Sequence, residues 1–266
     1  MNTLAAILAR TVARVERLKS ERPIEELKGT AIYARQPRDF RAAFQAGGPR
    51  VIAEVKFCSP SKGRIYPGAP SGAEASRVAS EYLASGAAAV SVLTEPDFFK
   101  GDADYLRRVR EDHPEAALLM KDFIIDVYQL HLARWAGADA VLLIGAALAR
   151  RLPVFLEDAD ALGLSALVEV HTAAELAAAR EAGAELIGVN TRDLATLALD
   201  ANVAHDLAPG PVAPPEPLFI AESGITTRAQ LDELMSLGYR GFLVGGALMA
   251  TGKPGKALKQ LLSAIT

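Results

Sequence analysis

The stretch Val51-Ile52-Ala53-Glu54-Val55-Lys56-Phe57-Cys58-Ser59-Pro60-Ser61-Lys62-Gly63 begins as an apolar run and ends in a loop of Ser, Pro and Gly. Glu54 and Lys56 stand two residues apart where the run ends. On a strand that spacing points both side chains to one face. An acid and a base on the inner face of an apolar strand are costly to bury without a purpose. An open doubly wound sheet would want a glycine-rich dinucleotide loop after such a first strand, and Ser59-Pro60-Ser61-Lys62-Gly63 is not one.

Outward from this stretch the pattern repeats. Strand-like apolar runs occur at 50–56, 88–93, 117–121, 140–144, 166–170, 186–189, 218–221 and 241–244. Between and after them, helical periodicity covers 75–84, 105–110, 127–135, 147–161, 173–182, 201–207, 228–237 and 254–265. Ser71, Asp126, Thr172 and Thr227 suit helix N-caps, and Gly86, Gly137, Gly163, Gly183 and Gly238 suit left-handed helix ends. Strands that alternate strictly with helices form a parallel sheet covered on both faces. Eight such units in about 215 residues fit a closed (β/α)8 TIM barrel. Upstream, Leu4, Ile7, Leu8, Val12, Val15 and Leu18 follow helical spacing, and a polar stretch with Pro23 and Pro37 leads to the first strand. The 266 residues therefore read as a single barrel domain with 1–48 as an N-terminal helical extension.

Composition narrows the function. The formal charge of −3 is spread along the chain, which argues against nucleic-acid and anionic-membrane partners. A single cysteine, Cys58, cannot form an internal disulfide and argues against a Cys-based zinc site. His113, His131, His171 and His205 are dispersed without metal-ligand spacing, so neither metal nor cofactor is expected. There is no secretory leader pattern and no apolar span of membrane length. A cytoplasmic protein is expected, monomeric, with a dimer as the alternative.

In barrels of this kind the chemistry sits at the C-terminal strand ends. Here those ends are polar: Glu54 and Lys56 on the first strand, Thr94-Glu95 after the second, and Lys121 on the third. Glu169 ends the fifth strand, Asn190 to Asp193 follow the sixth, and Glu222 follows the seventh. The fourth, Val141 to Gly145, stays apolar and reads as a hydrophobic wall. One such Glu is ordinarily an ion-pair partner or a cap. Several on one face shift one another's pKa values and can supply an acid and a base together. Ser223-Gly224 and Gly245-Gly246 leave backbone N–H groups open after the last two strands. Ala247-Leu248-Met249 reads as the short helix that completes a phosphate site. Phe98 and Phe99 are candidates to cover an aromatic substrate.

These residues resemble a known family. Glu-Val-Lys-x-x-Ser-Pro-Ser-Lys-Gly (54–63), Ser-Val-Leu-Thr-Glu (91–95), Leu-Met-Lys-Asp-Phe (119–123), Val-Glu-Val (168–170), Ile-Gly-Val-Asn-Thr-Arg-Asp-Leu (187–194), Ala-Glu-Ser-Gly-Ile (221–225) and Phe-Leu-Val-Gly-Gly-Ala-Leu-Met (242–249) are similar, in order, to indole-3-glycerol phosphate synthase of tryptophan biosynthesis. The resemblance implies conversion of a phosphorylated small molecule, 1-(2-carboxyphenylamino)-1-deoxyribulose 5-phosphate, to indole-3-glycerol phosphate. It implies Lys121 as general acid, Glu169 as base, and Lys56, Glu54 and Asn190 in support. Ser59, Phe99, Arg192, Glu222, Ser223, Gly224, Gly245 and Gly246 are implied substrate and phosphate contacts. Two positions depart from the family pattern: Gly246, where Ser is usual, and Phe57, where a basic residue is common. The alternatives are a non-catalytic barrel that only binds a sugar phosphate, and another phosphate-binding barrel such as phosphoribosylanthranilate isomerase.

Overall fold

Continuous apolar strands need cover on both faces, and here the sheet closes on itself inside a ring of helices. Strands β1 (Arg50–Val55), β2 (Ala89–Leu93), β3 (Leu118–Lys121), β4 (Ala140–Ile144), β5 (Ser165–Val170), β6 (Leu186–Asn190), β7 (Leu218–Glu222) and β8 (Gly241–Val244) form a closed barrel in chain order. Every neighbouring pair is parallel, and β8 returns to β1 with Ala53 opposite Val244. The computed structural model describes residues 2–210 and 217–263. No helix among them is long and apolar enough to cross a membrane.

Alternation along each strand divides the apolar side chains into two cores. Val51, Val90, Met120, Val141, Val168 and Phe219 face the helices. Ile52, Ala89, Leu119, Leu142, Leu167, Ile220 and Leu243 fill the barrel itself. Phe40 and Phe44 close its N-terminal end, and a Cβ on Gly241 would lie 2.7 Å from the Phe44 ring, so β8 starts on a residue without one.

The N-terminal extension wraps from one end of the barrel to the other. Helix α1 (Thr3–Glu21) begins on Asn2, whose side chain accepts the Ala5 N–H, and lies across the C-terminal mouth. Thr3 N–H donates to the Ala195 carbonyl (2.9 Å), Arg14 pairs with Asp122 (2.6 Å), and Lys19 pairs with Asp126 (2.7 Å). The Arg14–Asp122 pair is buried, which makes breaking it far costlier than losing a surface pair. Beyond α1, the chain runs down the side of helix Tyr128–Ala136. There Trp135 is held between the guanidinium groups of Arg22 (4.1 Å from the ring centroid) and Arg107 (4.7 Å). Lower still, the fully buried Asp139 carboxylate accepts from Arg35 (2.7 Å) and Arg110 (2.5 Å), and from the backbone N–H groups of Arg38 and Leu118 (2.9 Å each).

The expected strands match within a residue or two, with Asn190 and Glu222 drawn into β6 and β7. The five expected glycines all take left-handed φ. Gly137 has a second reason to lack a side chain, because a Cβ there would meet Arg110 at 2.5 Å. Ser71, Thr172 and Thr227 cap as expected. The cap expected at Asp126 moves to Val127, although the Asp126 carboxylate still accepts the Tyr128 N–H (2.9 Å).

Other departures are local. The stretch expected only as a polar connection carries helices Ile24–Lys28 and Ala31–Ala34 and the 3-10 turn Phe40–Phe44. The helix expected over 147–161 is broken by Ala149 (φ 48°) into Gly145–Leu148, Ala149–Arg151 and Leu152–Ala161. A two-residue hairpin, Cys58–Ser59 with Gly63–Arg64, forms in the loop after β1. The last helix runs Pro254–Leu262, and the 264–265 end of the expected helix lies outside the described residues.

Candidate active site

The inward positions just above the apolar filling are polar. Glu54 on β1, Lys121 on β3, Glu169 on β5, Asn190 on β6 and Glu222 on β7 converge on a cavity of about 280 Å³ at the C-terminal mouth. Lys121 Nζ stands 3.1 Å from Glu169 Oε2 and 3.1 Å from Glu222 Oε2. Asn190 Nδ2 donates to the other oxygen of Glu169 (3.0 Å), and Arg192 N–H donates to Asn190 Oδ1 (2.9 Å). Lys56 pairs with Glu54 beside this chain of contacts. The result is an arc of alternating charge across the barrel, Lys56–Glu54 at one end and Lys121–Glu169–Asn190 at the other.

The field inside this arc sets the protonation states. Burial works against the Lys121 ammonium, but Glu169, Glu222 and Glu54 together outweigh it and hold its pKa above the ordinary lysine value. Lys121 is thus a firmly charged ammonium until substrate arrives. Burial raises Glu222 to about 7, opposed by Lys121 and helped by the like charges of Glu169 and Glu54. Glu222 Oε1 has no hydrogen-bond partner among the described residues, so one carboxylate oxygen is left for a ligand or a proton.

Two glycines are set by these acids. A Cβ on Gly188 would lie 2.1 Å from Glu222 Oε1, and one on Gly245 would lie 2.0 Å from Glu54 Oε2. Gly245, expected only as a backbone phosphate contact, therefore also makes room for the Glu54 carboxylate. Gly246 is different, since a Cβ there meets nothing within 4 Å and the usual Ser would fit.

The rim near β7 and β8 is built from backbone. Ser223 and Gly224 take consecutive left-handed conformations (φ 68° and 74°), a strained choice for Ser that turns the chain sharply at the cavity edge. Helix Gly246–Met249 follows β8, and its first N–H groups have no acceptor within the helix. Ser59 accepts the Lys62 N–H (3.3 Å) and anchors the hairpin over the same side. Opposite lies an apolar wall of Ile7, Phe99, Phe123, Ile144, Leu194 and Leu199. An anionic group on one side and a flat apolar ring on the other suit this cavity.

Of the residues nominated from sequence as catalytic or ligand-binding, all but Phe98 line this one cavity. Some expectations are corrected in detail. Phe98 packs onto the barrel filling and does not line the cavity, leaving Phe99 as the aromatic wall. Phe57 is buried against Tyr66 and Tyr105, outside the cavity. Arg192 lines the cavity as expected, and its guanidinium, whose pKa is lowered by burial, also donates to the Leu197 carbonyl (2.7 Å) and braces the loop after β6. Sequence reasoning missed Ile7, Lys62, Leu194, Leu197, Leu199 and Thr226 as lining residues. The three leucines at 194, 197 and 199, in a loop with no amphipathic period, were the one available signal for that side of the wall.

A family model for indole-3-glycerol phosphate synthase matches residues 4–261. Curated relatives carry that name. The one from Saccharopolyspora erythraea is 44% identical over 91% of this chain and 88% of its own length. The one from Carboxydothermus hydrogenoformans is 41% identical over 94% of this chain and 96% of its own. Solved structures are similar at lower identity. A 3-hexulose-6-phosphate synthase has a TM-score of 0.62 at 17% identity, covering 82% of this chain and all of its own. A thiamine phosphate pyrophosphorylase from Pyrococcus furiosus has 0.57 at 20%, covering 80% and 93%. Those two likenesses speak for the barrel alone. The family match, running from α1 through the last helix over the same Lys and Glu positions that meet in the mouth, has a plain consequence: the chain belongs to the indole-3-glycerol phosphate synthase family.

Proposed function

We propose that the cavity closes the indole ring of 1-(2-carboxyphenylamino)-1-deoxyribulose 5-phosphate, releasing carbon dioxide and water, with Lys121 as the acid. The observation that supports it is a charged Lys121 held between Glu169 and Glu222 beneath an apolar wall. In the first step a π pair of the aromatic ring attacks the keto carbon, and the carbonyl oxygen takes a proton from the Lys121 ammonium. Loss of carbon dioxide returns the carbon–carboxylate electron pair to the ring and restores its aromaticity. Dehydration then removes a proton from the CH2 beside the nitrogen in the new five-membered ring, taken by Glu169, while the hydroxyl departs as water with a proton from a lysine. Asn190, already bonded to Glu169, orients that base and reaches the departing hydroxyl.

The open oxygen of Glu222 suits the hydroxyls of the substrate's sugar-derived chain. Lys56 faces both the reacting centre and the phosphate, with Glu54 holding its ammonium. The phosphate lies against the Ser223-Gly224 turn and the N–H groups after Gly245, with Ser59 beside it, and the anthranilate ring lies against Phe99. Cytoplasmic location belongs to the same proposal and rests on the composition, with a monomer expected and a dimer as the alternative.

The test is to incubate the protein with this substrate and follow indole absorbance, with Lys121→Ala and Glu169→Gln beside wild type. Removal of a positioned acid or base is expected to cost about 100-fold or more in kcat. No indole from wild type would refute the function, and full turnover in both variants would refute the roles.

A further inference from the structure

Glu95 is buried to 1% exposure at the end of β2 and is absent from the cavity lining. Its carboxylate accepts three successive backbone N–H groups: Asp97 on Oε1 (2.9 Å), and Phe98 (2.7 Å) and Phe99 (3.0 Å) on Oε2. Its own carbonyl accepts the Gly101 N–H (2.8 Å), closing the loop. Gly101 has no room for a side chain, since a Cβ would lie 2.2 Å from the Leu93 carbonyl oxygen, and Lys100 takes a left-handed φ of 56°. The loop is thus wound around one anion, a backbone nest with the charge supplied from within the chain. The one side chain it delivers to the cavity is Phe99, whose ring lies 6.0 Å from that of Phe123.

We propose that Glu95 is a positioning residue that sets the Phe99 ring against the substrate's aromatic ring. The inference rests on the functional reading above, in which Phe99 meets the anthranilate. A carboxylate suits the task because it offers only acceptors. The neutral amide of Gln would turn a donor toward at least one of the three N–H groups and release that part of the turn. Since Glu95 touches no reacting atom, its loss acts on the aromatic wall and leaves the phosphate end as it was.

The test is a double-mutant cycle on the full-length protein, with steady-state kinetics on the carboxyphenylamino-deoxyribulose phosphate and inhibition by inorganic phosphate. Glu95→Gln is expected to raise KM about tenfold, with kcat within about threefold and phosphate inhibition unchanged. Phe99→Leu is expected to do the same, and the double variant to be no more than about twofold worse than Phe99→Leu alone. Multiplying effects, or phosphate inhibition weakened as much as substrate binding, would overturn the proposal while leaving the enzymatic function intact. If Glu95→Gln does not fold, Glu95→Asp takes its place in the cycle, keeping the charge and withdrawing it by one methylene. If wild type forms no indole, the functional reading fails, and the cycle is read on substrate binding by calorimetry with the same criteria.

Discussion

Replacing Asp139 with Asn should cost the fold several kcal/mol and leave the chemistry alone. The carboxylate is fully buried and meets only donors: the Arg35 and Arg110 guanidiniums and the Arg38 and Leu118 N–H groups. Arg110 is itself buried, and burial lowers its pKa, so its guanidinium is costly to leave without this anion. The amide of Asn keeps the shape but presents a donor where the carboxylate accepted, and it leaves two guanidiniums without a counter-charge. Breaking a buried ion pair by removing one partner costs about 3–5 kcal/mol. That is a large part of the ~5–15 kcal/mol that stabilises an ordinary domain. At about 2–4 °C per kcal/mol, Tm is expected to fall by about 10 °C. The assay is thermal unfolding followed by circular dichroism, with Glu21→Gln as control. The Arg17–Glu21 pair is exposed at 3.9 Å, and its loss should change stability by less than ~0.5 kcal/mol. Asp139 does not line the cavity, so kcat and KM measured well below Tm should match wild type. An Asp139→Asn protein that melts within about 2 °C of wild type would refute the reasoning, since the four donors would then have found other partners.

Glu222 carries a pH signature. Its folded pKa of about 7 lies above the ordinary glutamate value of 4.5, so the folded state keeps the proton longer than the unfolded chain does. Its contribution to stability is therefore fully present below about pH 4.5 and is lost as the pH rises through about 7. Glu222→Gln cannot ionise, so its Tm should fall less than that of wild type across this window, and parallel profiles would count against the shift. Gly188→Ala would place a methyl 2.1 Å from Glu222 Oε1 and push that carboxylate off Lys121. A loss of about tenfold or more in kcat/KM is expected, and unchanged turnover would show that the Lys121–Glu222 contact is dispensable. Gly246→Ser enters open space and should leave Tm unchanged, with KM equal to or up to about fivefold below wild type through one added hydroxyl contact to phosphate. A raised KM would place the phosphate elsewhere.

Most of the barrel was legible because an apolar run of strand length and an amphipathic helix differ in period, and eight alternations leave few topologies. The polar ends of those runs were equally legible. Glu169 and Lys121 stand out because nothing else on their strands is charged. The short pieces were not. Ile24–Lys28, Ala31–Ala34 and the Cys58–Ser59 hairpin are too brief for a period to develop, and docking onto the barrel decides them. Nor could sequence show that Lys121 lies equally far from Glu169 and Glu222, since that depends on the barrel's width. Arg14 and Asp122 are 108 residues apart, and no local rule joins them. Gly188 and Gly245 read as turn or backbone residues until the carboxylates beside them were placed.

Helix α1 leaves the ribosome before the barrel it covers and is among the last segments able to settle. Its anchors on the mouth, Asp122, Asp126 and the Ala195 carbonyl, are synthesised more than a hundred residues later. Until the sixth strand and its loop have emerged, the helix lacks its Ala195 anchor and cannot complete its docking on the mouth. The cavity therefore acquires Ile7, and with it part of its roof, only after most of the barrel exists. The order of synthesis and the order of assembly run in opposite directions, and a nascent chain halted before β6 would carry a barrel wall without its cover.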